Sequence, residues 1–563
     1  MRRRPAKLLT RALVAAALVL AAGAPAAPAA SPTTGRLLVT VAPQDSGSDL
    51  RAAAASLMTA DGLRRDGAQV PQIGLVSVRP YGGTSLKELA RSLRRRDGVL
   101  HVEAERRHAL RVDLNDPSLT VQENAAGTPS GTPVQWWIGR LGLPAAWDIS
   151  RGKGATVAVI DTGVDSGHPD LSGKVQQSTD NDAISGHGPA TVDENGHGTH
   201  VASIACGAGD NGVGIVGVGL DCQLLVYKSD LSDGSVARSI IQAADAKADA
   251  INMSFGTDGT TPPARVIVDA INYAIAHDVV VVAAAADSPV EEQGDPANVL
   301  QPTGTGPDIT AGKGLTVTAA DNAGQRSSFA GRGSQVSLAA YGSFSDGGGG
   351  PPGLLAAFPG NATELEAGGG VLFPQPGCNC RTTFQGDSRF AYLQGTSMAT
   401  PMVTAVAALV KNLNPDLRAP DVVRLLKETA TRPNGAGWTP DLGWGIVNPL
   451  VAMTVARTID RRAPTSKLTG PKSVRGSKAI SLRVSGADSA PGGLSAAGVD
   501  HFDIYRSANR RAYRRLAATS APSLKVKVKT GSRYRFYSIA VDKAGNREAV
   551  PSRADVSFRV ARR

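Results

Sequence analysis

Three short segments hold groups able to move a proton and attack a carbonyl. Asp161 ends the apolar run VAVID (Val157 to Asp161), and Gly163 just beyond it permits a tight turn. A carboxylate is therefore expected at the carboxyl edge of a sheet, where catalytic groups gather. His197 lies in NGHGTHVA (Asn195 to Ala202), whose small residues read as a helix start. Ser397 lies in GTSMATP (Gly395 to Pro401), just before the helical run Val403 to Asn412. Backbone N–H groups at that helix start can face an oxyanion. Each segment also has a plainer reading. A strand-ending Asp or a helix-initial Ser commonly caps a helix, and His197 with His200 suggests a metal face. The spacing is not the H-E-x-x-H of zinc peptidases, which argues against metal.

Chain order narrows the chemistry. An α/β-hydrolase has its acid and histidine after the nucleophile, yet the only histidine after Ser397 is His501, in a β-like tail. Chymotrypsin-like enzymes run His, Asp, Ser on β-barrels. Here the order is Asp161, His197, Ser397.

The elements that must position these residues follow from hydrophobic pattern. Thr156 to Ile160, Gln223 to Tyr227, Ala250 to Met253, Val279 to Ala284 and Leu315 to Ala319 are apolar without alternation, each with a helical segment after it. That pattern predicts an α/β fold, a parallel sheet flanked by helices on both faces, over 135–456. Two glycine-rich inserts, Asp287 to Gly314 and Gly342 to Gly377, read as surface loops. Upstream, Arg36 to Val41, Ile73 to Val78 and Leu100 to Glu105 read as strands, and Leu50 to Asp66 and Leu86 to Arg96 as helices, a small α+β unit within 31–114. Polar residues 115–134 read as a linker. Downstream, 463–563 carries short strands at Lys478 to Val484, Val499 to Tyr505, Ser523 to Val528 and Tyr534 to Ala540, with a turn at Asp542 to Asn546, as in a β-sandwich of the fibronectin III or immunoglobulin kind.

Composition bounds the setting. Basic residues Arg2, Arg3, Arg4, Lys7 and Arg11 precede the apolar run Ala12 to Ala22 and the small residues Ala27 to Ala29, which reads as an export signal over 1–30. The run falls short of the ~20 residues a bilayer span needs. A secreted, extracellular monomer is expected. Export permits disulfides; Cys206, Cys222, Cys378 and Cys380 allow three connectivities or free buried thiols, local pairing being the simplest. Neither pair has a partner at zinc-ligand spacing. Residues 461–563 hold 23 Lys and Arg against 6 Asp and Glu, a net +17, while 1–460 carry 37 against 43, a net −6. The basic tail could hold the protein near anionic cell-envelope polymers, or be merely a solvated face. It lacks the aromatic-basic interleaving of a nucleic-acid module, so no nucleic acid is expected.

The segments Asp161 to Asp170 (DTGVDSGHPD), His197 to Ala202 (HGTHVA) and Gly395 to Pro401 resemble the three signature segments of the subtilisin-like serine peptidases. The likeness continues through Ile251 to Gly256 (INMSFG) and Gly443 to Asn448 (GWGIVN), and residues 36–110 resemble that family's propeptide, a folding chaperone and temporary inhibitor.

The resemblance implies a secreted endopeptidase acting on protein or peptide substrates and on its own propeptide, with Asp161, His197 and Ser397 as its triad and no cofactor for the chemistry. It implies that Ser254, Phe255 and Gly256, with Ala283, Ala284 and Ala285, flank the pocket for the side chain before the cut. Ser232, Asp233 and Gly234 match the edge that pairs with substrate backbone. Gln135, Asp170, Asn211, Val213 and Ile215 match a structural Ca²⁺ site. One position departs: where the family carries Gly-Asn, with the Asn amide donating to the oxyanion, this chain has Ala286 and Asp287. An ionised carboxylate cannot donate, so an impaired relative that binds peptides or envelope material is the alternative.

Overall fold

The computed structural model describes residues 33–41, 63–70 (backbone only), 75–80, 85–96, 99–106, 114–257, 259, 262–372, 374–433, 435, 437–489 and 496–562. The expected export signal and most of the helix expected at Leu50 to Asp66 lie outside them. The chain divides into two units, at Arg111 and Val112.

The first unit is a four-stranded antiparallel sheet of β1 (Thr33–Val41), β2 (Leu63–Val70), β3 (Leu75–Pro80) and β4 (Val99–Arg106), in the order β2-β3-β1-β4. Leu37, Val39 and Val41 alternate inward and meet Leu89, Ala90 and Leu93 of the helix Leu86–Leu93, whose start is closed by a Ser85–Glu88 capping box. Residues 63–66, expected at the end of a helix, are strand, because Leu63, Arg64 and Arg65 pair with Pro80, Arg79 and Val78. Pairing with a formed neighbour overrides local helix preference.

The second unit is built on β5 (Thr156–Asp161), β6 (Val175–Asn181), β7 (Gln223–Ser229), β8 (Ala250–Met253), β9 (Val280–Ala284), β10 (Leu315–Ala320) and β11 (Leu338–Tyr341). They form one parallel sheet in the order β11-β10-β9-β8-β5-β7-β6. The sheet is apolar on both faces for a simple reason. In β5, Val157 and Val159 enter a core shared with the helices His197–Cys206 and Thr396–Leu413, whereas Ala158 and Ile160 enter a second core with the helices Asp233–Asp245 and Arg265–Ala276. Asp161 thus leaves the sheet near its centre, where the two helix layers part.

Both glycine-rich inserts keep exposed stretches, as expected of surface loops, but each also sends a segment into the fold. In the first, Ala297–Leu300 is a short buried helix and Gln293 and Gln301 are buried. In the second, β12 (Leu354–Ala357) is wholly buried and pairs with β14 (Asp387–Leu393), which also carries β13 (Arg381–Phe384). Residues 115–134 are likewise not a free linker. Asp116 takes the N–H of Asp210 at 2.7 Å, Ser118 donates from its backbone to Gly214 at 3.2 Å, and Ser118 Oγ bonds Gln135 at 2.6 Å. Their polar side chains bond to the body, which composition alone does not reveal.

The tail forms two antiparallel-rich sheets. One is β15 (Thr465–Thr469), β17 (Lys478–Ala487) and β20 (Ser523–Val528); the other is β16 (Val474–Arg475), β22 (Val556–Ala561), β21 (Arg533–Asp542), β18 (Val499–Ala508) and β19 (Arg514–Thr519). Val526 and Val528 point into the sandwich while Lys525 and Lys527 face solvent, so much of the tail's charge sits on outward positions. Leu409 is fully buried, with its Cδ1 so near Gly152 and Gly219 that a Cβ at either glycine would meet it at 2.9–3.0 Å. Leu409→Ala in a Ser397→Ala background is expected to cost about 2–5 kcal/mol in chemical denaturation; a loss under about 0.5 kcal/mol would mean the helix is not the keystone of this core.

Candidate active site

Asp161, the last residue of β5, is 2% exposed and accepts the backbone N–H of Thr162 at 2.8 Å. Its Oδ1 also lies 2.8 Å from Nδ1 of His197. A carboxylate here only accepts, so Nδ1 carries the hydrogen and Nε2 is left as the basic nitrogen. Burial pulls the pKa of His197 down, but the charge and hydrogen bond of Asp161, with the charges of Asp193 and Asp287, outweigh it and hold it above the ordinary histidine value.

The loop before His197 is tied by Asp193, a residue sequence reasoning missed. Its fully buried carboxylate receives Thr162 Oγ1 at 2.9 Å, Gly196 N at 2.8 Å, and Thr199 N and Oγ1 at 2.8 and 2.6 Å. One anion thereby joins the turn after Asp161 to the first turn of the His197 helix, where N–H groups are unpaired and the dipole favours negative charge. An Asp four residues before the histidine was the available signal. His200 has a different setting: its Nε2 faces the carbonyls of Leu354 and Ala391 at 3.1 and 3.2 Å, and burial pushes its pKa down to about 3.

Ser397 stands in the first turn of the helix Thr396–Leu413, 9% exposed. Its Oγ donates to the carbonyl of Ser254 at 2.9 Å, and Ser254 Oγ donates back to the carbonyl of Ser397 at 2.9 Å. Pro401 explains the second bond. It has no N–H to give the carbonyl four residues earlier, so Ser397 O is free for Ser254. Asn252 completes the brace, donating to Ser254 Oγ at 2.9 Å and accepting from Thr404 at 3.0 Å.

Asp287 sits beside the residue that precedes Ser397. Its Oδ1 takes the N–H and the hydroxyl of Thr396 at 2.7 and 2.9 Å. Burial of its inner side pushes its pKa up, against the pull of Thr396 and of His197; its outer side is exposed to the cleft, and solvent there limits the rise. The N–H of Ser397 has no acceptor within the helix, as for any first-turn residue.

These groups line one cleft of about 310 Å³, together with Leu231, Ser254, Phe255, Asn195, Leu365, Leu372, Cys378 and Leu393. Other expected residues fall elsewhere. Ala283, Ala284 and Ala285 are 0%, 3% and 4% exposed, behind the cleft wall rather than on it, because the strand they end is covered on both faces. Gly256 lines an adjoining cavity of about 100 Å³ with Asp233. Ser232 caps a helix that Asp233 and Gly234 begin, so this stretch is no extended edge; Leu231 reaches the cleft instead.

The structure joins Cys206 to Cys222 and Cys378 to Cys380. It also gathers Gln135, Asp170, Asn211 and the turn through Val213 to Ile215, the residues expected at a calcium site, where protein donors meet their side-chain oxygens. Asp170, fully buried, receives Asn211 Nδ2 at 3.1 Å and Ile215 N at 2.9 Å, and burial lifts its pKa to about 7. Gln135 Oε1 already accepts from Ser118 Oγ at 2.6 Å and Val216 N at 2.8 Å, and Asn211 Oδ1 accepts from Val213 N at 3.0 Å. 

The Subtilase family description matches residues 152–445. The chain is 32% identical to M-protease of Shouchella clausii (strain KSM-K16) over 340 residues, 59% of this chain and 73% of that protein. It is 32% identical to thermitase of Thermoactinomyces vulgaris, covering 53% of this chain and 88% of that one, and 32% identical to subtilisin BL of Lederbergia lenta, covering 56% and 97%. The chain therefore belongs to the subtilase family. It is a subtilisin-like serine endopeptidase.

Gly196 holds the site together in two ways. Its φ of 98° is one that side-chain-bearing residues avoid, and a Cβ there would meet the ring of Phe358 at 2.5 Å. Gly196→Ala is expected to lower kcat about 5- to 30-fold, from a backbone penalty of about 1–2 kcal/mol passed to His197. Adding Phe358→Leu should restore part of the loss. Unchanged kcat in the single variant would show that the ring does not set the position of His197.

Proposed function

We propose that the protein is a secreted proenzyme whose Asp161, His197 and Ser397 hydrolyse peptide bonds through an acyl-enzyme. The observation that carries the reading is the 2.8 Å bond from Asp161 to His197, which turns Nε2 to the cleft that Ser397 also lines. For reaction, Ser397 Oγ leaves the carbonyl of Ser254 and turns to Nε2, a rearrangement common between free and substrate-bound sites. His197 takes its proton as Oγ attacks the carbonyl, then gives that proton to the leaving amine; water, deprotonated in the same way, releases the acyl group. Asp161 stabilises the imidazolium throughout.

The first unit is the propeptide in this reading, and the polypeptide is cut between about residues 105 and 132; the division of the two units at Arg111 and Val112 supports that. Among the described residues no helix is long and apolar enough to cross a membrane, in keeping with release. A fluorophosphonate is expected to label Ser397 of the purified protein, with a new N-terminus in that interval. Ser397→Ala should neither label nor mature alone. Maturation of Ser397→Ala at the wild-type rate would remove Ser397 from the chemistry.

Asp287 sets the pH dependence. The base needs His197 neutral, so activity falls as pH drops through its raised pKa. If Asp287 serves the oxyanion it must carry a proton, so activity also falls as pH rises through its own raised pKa. The expected profile of kcat/KM then has both an acid and an alkaline limb. Asp287→Asn should erase the alkaline limb and raise kcat at alkaline pH by up to ~10²–10³-fold. An unchanged profile would leave the oxyanion to backbone donors.

A further inference from the structure

We propose that the second glycine-rich insert gives the cleft a pocket for a bulky apolar side chain on the residue just after the scissile bond. The inference rests on the endopeptidase reading above and names its substrate preference on the leaving-group side.

The side is fixed by chemistry. His197 protonates the leaving amine, so the residue after the cut passes along the flank of the cleft that carries His197. That flank belongs to the insert. Leu365 N donates to the carbonyl of Asn195 at 3.3 Å, Asn195 Nδ2 donates to Glu364 at 3.0 Å, and Phe358 abuts Gly196. Phe255 and Leu231 continue instead into the adjoining cavity with Gly256, whose lining includes no residue of the insert.

The flank is apolar and fastened. Leu365, Leu372, Cys378 and Leu393 reach the cleft, with Met398 at its floor. Behind them Phe358, Leu365, Cys380 and Ala391 form a small core, and Cys378 and Leu393 pack on it. The Cys378–Cys380 bond closes one corner. Arg381 closes another, bonding both oxygens of Glu366 at 2.6 Å and the carbonyls of Pro359 and Asn361 at 2.7 Å, with its guanidinium 4.9 Å above the Phe358 ring. A wall held this way keeps its shape before substrate arrives, so little ordering offsets the gain from burying a side chain. Its chemistry suits Leu, Met or Phe and disfavours Asp, because an anion there would meet no Lys or Arg among the lining residues and would share the cleft with Asp161 and Asp287.

The test uses quenched peptides identical up to the cut and carrying Leu, Gly or Asp immediately after it. Leu is expected to exceed Gly in kcat/KM by about 10- to 100-fold, and Asp to be poorest. A p-nitrophenyl ester with the same acyl part reports the triad without a leaving peptide. Leu372→Ala, a half-exposed position outside the small core, should lower the ratio of Leu-peptide to ester rate about 10-fold. Capture of the acyl-enzyme by leucine amide should likewise exceed capture by glycine amide. Equal rates for the three peptides, with ester hydrolysis intact, would overturn the pocket; absence of ester hydrolysis in the wild-type protein would overturn the peptidase reading instead. A Leu372→Ala variant with an unchanged ratio would remove that residue from the leaving side.

Discussion

The bond between Asp161 and Nδ1 of His197 joins two elements that the rest of the fold exists to bring together. Asp161 is fixed because β5 is central and buried on both faces. His197 is fixed because its helix packs on one of those faces, and because Asp193 gathers the loop before it onto the turn after β5. A strand end and a helix start are each imprecise by themselves. Their joint precision comes from a buried carboxylate that receives both, and from Gly198, whose missing side chain lets the helix approach the carbonyl of Gly163; a Cβ there would sit 2.1 Å from it.

The nucleophile is held by a different device. The helix that bears Ser397 runs through the core for 18 residues, so it cannot shift without disturbing the packing of Ala399 to Val410. Pro401 frees one carbonyl in that helix, and Ser254 answers it while also accepting from Ser397 Oγ. Strand and helix therefore share two hydrogen bonds across the site. Ser254 and Ser397 are thereby held as one piece, which under the proposed mechanism keeps the reacting carbonyl in register with its attacker.

What was legible in the sequence follows from this design. Strands covered on both faces are continuous apolar runs, so β5, β7, β8, β9 and β10 stand out, and the three signature segments sit at their ends or on the helices against them. β6 did not stand out, because VQQSTDN lies at an edge and is mostly exposed. The inserts misled for a more interesting reason. Glycine reads as loop, yet Gly342 and Gly353 are glycine because backbone passes against backbone: Cβ atoms there would meet Gly395 O at 2.4 Å and Leu393 O at 2.3 Å. Close approach and flexibility have the same composition, and only the fold separates them. The same blindness hid Leu365 and Phe358, whose role depends on a segment more than 150 residues away.

The electrostatics of the cleft carry a cost that the geometry makes plain. Asp161, Asp193 and Asp287 all favour a charged His197. In the proposed mechanism Asp161 must, since it stabilises the imidazolium formed as Ser397 attacks. Asp193 does so as a by-product of tying the loop, and Asp287 by standing where an uncharged amide is usual in the family. Each added anion makes His197 a stronger base but leaves less of it unprotonated near neutrality, and proton transfer works best when pKa and working pH are matched. A carboxyl group at 287 relieves part of that burden only when it is protonated, because it then ceases to raise His197 and gains a hydrogen to donate. The two groups are thus opposed in a way that an amide at 287 would not be: the proton that makes Asp287 useful is available under the conditions that disarm His197.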